Sequence, residues 1–237
     1  MMPAEHLDHL TDGVRACTAS LSDRTARVAH CPGWDVAALV RHLGGVHRWA
    51  TDQVRGDPPA DGEAPSPLEW GLLTSWFAAG ARELVDALRT AGPDRACPTL
   101  DGVPGRTAFW FRRQALETAV HRWDVELAHG EPGGIDPALA ADGIAEVADV
   151  LLPRQLRLGR VARGFAAVLL VPDGDPIARR TLLSAASSGC APVATVTGAV
   201  DRLFLLLWHR IALDGPGLSV TGDRAAAERT LALPLTP

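Results

Sequence analysis

The chain contains no lysine, no asparagine and no tyrosine, so all 23 of its basic residues are arginine. Fixed positive charge, wherever function needs it, must come from a planar guanidinium fork rather than a compact ammonium. No apolar run approaches the ~18–20 residues of a membrane span; the Leu203–Trp208 stretch falls far short. The first residues carry acids and histidines (Glu5, His6, Asp8, His9) where a signal peptide carries a basic and then an apolar segment. A Gly-x-Ser-x-Gly elbow, a Gly-x-Gly-x-x-Gly fingerprint and a phosphate loop are all missing, which removes the usual signals for a serine nucleophile or a nucleotide cofactor. Only four cysteines occur (Cys17, Cys31, Cys97, Cys190), scattered and without a Cys-x-x-Cys pair. That pattern excludes a disulfide framework and predicts reduced, structural thiols.

A basic surface is also lacking. The net charge is -5 with a pI near 5.9, which argues against nucleic-acid and anionic-membrane partners. These absences together predict a soluble cytoplasmic protein. What is present is ordinary globular material: 237 residues, 47% hydrophobic and 22% charged. That is enough for a sizeable core and for one large domain or two small ones.

The chain divides into a helical front and a mixed back. Leu7, Leu10, Val14, Cys17 and Leu21 fall at steps of three and four, predicting a helix over 4–21. After Pro32-Gly33-Trp34, Asp35 reads as a helix cap. Val36, Leu39, Val40, Leu43 and Val46 then form a second stripe that fades near Gly56. Residues 57–67, with Pro58, Pro59, Pro65 and Pro67, read as a loop. A third helix is predicted over 68–88, with Trp76, Leu84, Val85 and Leu88 inward; a loop over 91–105; and a fourth helix over 107–129, ended by the breaker cluster 130–134. The fold class predicted is α+β: a four-helix bundle over residues 1–132, then a smaller α+β domain with a small sheet over 133–237. In the second part, 136–150 reads as a helix, 165–171 as a strand and 172–176 as a turn. Its hairpin partner follows at 181–186, a third strand at 193–197, a leucine-rich helix at 200–213 and a short strand at 218–221.

Candidate chemistry gathers on helices two and four. Glu117 and His121 stand four residues apart, about 40° apart around the helix and one turn along it. They lie beside the stripe Leu116, Val120, Trp123 and Leu127, at the margin of the buried face. Asp124 lies just to the other side of Glu117. His42 holds the matching margin of helix two, a third donor from a facing helix. A carboxylate and two imidazoles can share one divalent metal; the same Glu-x-x-x-His pair is also a common exposed polar contact. His47 points about 140° away from His42 and reads as a core histidine. His6 and His9 read as solvated, His30 as a linker residue and His129 as a helix-end residue.

Pro32-Gly33-Trp34-Asp35 with Leu39-Val40-Arg41-His42-Leu43, and Glu117-Thr118-Ala119-Val120-His121-Arg122-Trp123-Asp124, resemble two signatures of the mycothiol-dependent maleylpyruvate isomerase family. Its front domain is similar to DinB-type metal-binding bundles. Val196-Thr197-Gly198 leading into Leu203–Arg210, and Val220-Thr221-Gly222-Asp223, resemble the family's smaller domain. The resemblance implies zinc held by His42, Glu117 and His121, with mycothiol as the thiol cosubstrate. It further implies a thiolate added to an electrophilic small molecule, giving either cis–trans isomerisation or S-transfer. An arginine of the small domain, Arg210 or Arg202, would hold the substrate carboxylate; His209 stands beside Arg210 where the family is expected to carry a small residue. A zinc-and-water hydrolase, and a non-catalytic binding or regulatory protein that has kept the bundle, remain open as alternatives.

Overall fold

The computed structural model describes residues 1–58, 64–130, 132–174, 180–185 and 190–237. The chain forms two compact units, Met1–Gly134 and Ile135–Pro237.

The first unit is built from α1 (Pro3–Ala19), α2 (Val36–Arg55), α3 (Trp70–Ala91) and α4 (Ala108–Ala128). Local chemistry sets their ends. The Asp35 side chain accepts from the Ala38 N–H at 2.8 Å, satisfying a donor that the first turn of α2 leaves open. Gly56 ends the same helix at φ +79°, a left-handed conformation that glycine adopts without a Cβ penalty. Around the bundle, α1 packs on α4 and α3, and α2 packs on α3 and α4. The core includes Leu10, Cys17, Leu39, Leu43, Leu73, Phe77, Leu84, Leu116 and Val120, all essentially inaccessible.

Two glycines let α2 and α3 approach closely. A Cβ on Gly44 would collide with the Trp76 ring, and one on Gly80 with the Arg48 guanidinium. Arg48 stacks 3.9 Å from the centre of the Trp76 ring and donates to the Trp76 carbonyl at 2.8 Å, locking the pair.

The segment expected to be a loop at 91–105 contains a small hairpin, β1 (Ala96–Pro98) antiparallel to β2 (Pro104–Arg106). Three-residue strands bounded by prolines give no readable alternation. Pro59 and Glu131, in the expected loop and breaker, lie outside the described residues, as do Asp175, Pro176 and Ala186 of the expected turn and hairpin partner.

In the second unit the helix predicted over 136–150 runs on. It comprises α5 (Pro137–Glu146), a π-turn over Val147–Leu151, and α6 (Leu152–Arg157). The sheet holds β3 (Val168–Pro172), β4 (Thr181–Leu183), β5 (Ala194–Gly198) and β6 (Leu218–Gly222) in the order β4-β3-β5-β6. β3 pairs antiparallel with β4 (Leu169 opposite Leu182) and parallel with β5 (Leu170 beside Val196); β5 pairs antiparallel with β6 (Val196 opposite Val220). Val168, Leu170, Leu183, Ala194 and Val196 form its buried face. A final helix, α8 (Arg224–Leu231), was not anticipated. It is capped by Asp223, whose side chain accepts from the Ala226 N–H at 2.9 Å.

The leucine-rich helix corrects an expectation. α7 covers only Val200–Leu207. It closes in a Schellman turn: the His209 N–H reaches the Leu206 carbonyl at 3.0 Å and the Arg210 N–H the Leu205 carbonyl at 2.9 Å. His209 sits at φ +56° in the position glycine usually takes. Arg202 and Arg210 therefore do not share a helix face, and neither do Arg202 and His209.

Candidate metal centre

α2 and α4 run antiparallel across the bundle. The Trp49 and Trp110 rings meet at 4.9 Å near one end, and the His42 and His121 rings at 5.2 Å further along. This pairing brings the three predicted donors together. Nε2 of His42 lies 3.4 Å, and Nε2 of His121 3.3 Å, from the same Glu117 Oε1. All three donor atoms fall within 4.8 Å of one another. A tetrahedral zinc with bonds of about 2.0–2.2 Å has ligand–ligand edges of about 3.3–3.6 Å, which the two histidine–carboxylate edges match. Exposure falls from 37% for the His42 side chain to 12% for Glu117 and 8% for His121, so the cluster opens to solvent on the His42 side. Trp34, from the Pro-Gly-Trp-Asp turn, packs its ring 4.9 Å from that of His42.

Two supporting roles do not stand out in the sequence. The Asp124 carboxylate takes Nδ1 of His121 at 3.0 Å and is fully buried. Arg113, one turn before Glu117, pairs its guanidinium with Glu117 Oε2. Their signals were present as His-x-x-Asp and Arg-x-x-x-Glu spacings. The misleading cue was the periodicity of α4: it is buried on most sides, so its polar residues at 113, 114, 118, 121 and 124 do not mark a solvated face.

Electrostatics follow from these contacts. Burial alone would raise the Glu117 carboxyl; the Arg113 guanidinium and hydrogen bonds from His121 and His42 outweigh it and hold the group well below the usual carboxylate range. Burial alone would lower His121; its hydrogen bonds to Asp124 and Glu117 raise it to about 9. Glu117 is thus an anion, and the Asp124 contact fixes one His121 nitrogen so that Nε2 faces the cluster.

The other histidines sort differently. His47 is fully buried, hydrogen-bonds with Thr118 Oγ1 at 3.0 Å and stacks on Phe77, as a core residue. His6, expected to be solvated, is buried at 4% exposure on the inner stripe of α1, and His9 is half-buried. His30 lies with its ring 5.8 Å from that of Trp123, and His129 caps the end of α4. A second donor group, Cys31 with His121 and Asp124, also has its atoms within 4.8 Å of one another. In the second unit, Arg202 is half-buried and lies against Gly215 and Gly217. Arg210 donates to the Trp208 carbonyl at 2.8 Å beside the Trp208 ring.

Residues 7–126 match the profile described as the mycothiol maleylpyruvate isomerase N-terminal domain. The chain belongs to the mycothiol maleylpyruvate isomerase family, a family of enzymes. Two crystal structures, of the mycothiol-dependent maleylpyruvate isomerase and of a histidine-to-alanine variant of it, share the fold. Each superposes with a TM-score of 0.66 over 93% of this chain and 93% of its own, at 14% and 13% identity respectively. At such low identity the likeness establishes architecture. Among curated proteins no sequence match was found. No helix among the described residues of this family member is long and apolar enough to cross a membrane.

Proposed function

We propose that the chain is a mycothiol-dependent isomerase acting on a small cis-configured keto acid of the maleylpyruvate type, with a zinc ion held by His42, Glu117 and His121. The observation that carries the reading is the convergence of two imidazole Nε2 atoms on one carboxylate oxygen, within a domain of this family.

Zinc with three protein ligands keeps a fourth position open and lowers the pKa of a thiol, about 8.5 when free. The chain's own residues prepare the site. Asp124 holds Nδ1 of His121, Arg113 keeps Glu117 ionised, and Trp34 limits the swing of His42. The nucleophile is borrowed: among the chain's cysteines Cys17 is buried, its thiol pushed up to about 12 by burial, and none is required. The cosubstrate's thiolate adds to the conjugated double bond, and the electron pair moves onto the adjoining carbonyl. The bond that was double now rotates. Collapse of the enolate expels the thiolate and leaves the trans isomer. Stopping after addition and taking up a proton would give S-transfer, the second outcome the same site supports.

Arg210 and Arg202 are the second unit's proposed partners for the substrate carboxylate, since guanidinium binds it bidentately. Arg210→Ala is expected to lower kcat/KM by about one to two orders of magnitude, the worth of a charged hydrogen-bonded contact, with zinc content unchanged.

The deciding assay incubates the protein with mycothiol and a cis keto acid and follows the trans product. Turnover should need the thiol and vanish in His121→Ala, with circular dichroism unchanged. Equal turnover without thiol would replace this reading by the hydrolytic one.

A further inference from the structure

We propose that Cys31, Asp124 and His121 form a second cation site that takes a soft, thiophilic metal such as cadmium, distinct from the one opened by His42 and Glu117. Its three donor atoms lie within 4.8 Å of one another. Cys31 is held there by its turn: its N–H reaches the Val28 carbonyl at 3.2 Å, and the Trp34 N–H closes on the Cys31 carbonyl at 2.9 Å. The residue is half-buried, so an ion can reach it, while Asp124 and His121 behind it are buried.

Donor chemistry separates the two sites. Around Glu117 the donors are one carboxylate and two imidazoles, and the carboxylate's charge is already shared with Arg113. Around Cys31 they are a thiolate, a carboxylate and one imidazole. Two anionic donors neutralise a divalent ion in a desolvated place, and a thiolate selects soft metals over hard ones. Binding converts the Cys31 thiol to thiolate and displaces the proton that His121 Nδ1 shares with Asp124, and both protons go to solvent. The contact between Asp124 and His121 Nδ1 is the one the new ion must enter. The two sites are therefore joined through a single imidazole ring, and occupation of the second removes the support that orients His121 toward the first.

The test is a cadmium titration of the full chain, read by the sulfur-to-cadmium charge-transfer absorption, with circular dichroism as a fold control. The parent protein is expected to show a band saturating at one equivalent. His42→Ala should keep the band; Cys31→Ser, and independently Cys31→Ala, should lose it with helical content intact. Asp124→Asn should weaken cadmium binding by at least about ten-fold, since losing even a supporting carboxylate costs about 10–100-fold. A band that survives both Cys31 substitutions, or no band in the parent, overturns the proposal. Loss of the band in His42→Ala as well would merge Cys31 into one site with His42, and the second site falls. Zinc content measured on the same variants reads the first site separately: Cys31→Ser leaves it loaded whether or not the cadmium band is found.

Discussion

Single side chains decide this centre more than its ligands alone suggest. Asp124 is not among the three proposed zinc ligands, yet it holds Nδ1 of His121 and so sets which nitrogen faces the cluster. Asp124→Asn is expected to reduce zinc affinity about 10–100-fold while thermal stability changes little, measured by chelator competition. His47 acts through burial instead. Desolvation depresses it from 6.5 to about 3, so it is neutral in the folded chain. The unfolded chain takes up a proton at this residue as pH falls through about 6.5 and the folded chain does not until about 3. Stability is then lost across that window, by up to about 1.4 kcal/mol per pH unit for this one group. His47→Leu should flatten the fall in urea-unfolding free energy between pH 6 and pH 4; an unchanged slope would assign the acid sensitivity elsewhere.

Helices were the legible elements, because burial on one side leaves a 3.6-residue imprint. Leu39 and Leu43 announced α2, Asp35 its start and Gly56 its end. His42, Glu117 and His121 could be singled out because they flank such stripes. The imprint fails where burial is not one-sided. α4 is enclosed on most faces, which hid Arg113 and the role of Asp124. α7 shows the opposite failure: Leu203 to Leu207 are all buried, so nothing in the run marks where the helix stops, and the left-handed turn at His209 lacks the glycine that usually signals it. Pairing of β3 with β5 in parallel depends on contacts remote in sequence, which no local pattern encodes. Close helix approach is equally silent. Gly44→Ala would gain up to about 1 kcal/mol of helix propensity, but the added methyl collides with Trp76. Crowding of that kind costs about 1–3 kcal/mol, so the urea midpoint should fall rather than rise.

At the scale of the whole molecule, the proposed ligands and their supports all belong to one unit. His42, Arg113, Glu117, His121 and Asp124, together with the Leu and Phe core beneath them, lie within Met1–Gly134. Residues 1–134 expressed alone are expected to bind one equivalent of zinc by equilibrium dialysis. They should not turn over substrate if the carboxylate partner comes from Arg210 or Arg202. Within that unit the donors are far apart along the chain: His42 and Glu117 are separated by about 75 positions. A nascent chain carries only His42 of the three while the next 75 residues are made, and acquires the other two about one helical turn apart, in the middle of α4. Capture of the proposed ion would therefore follow translation of most of the bundle. If zinc is bound as proposed, it would tie a loop of that length, so chains made without it would be complete but looser and more open to proteases.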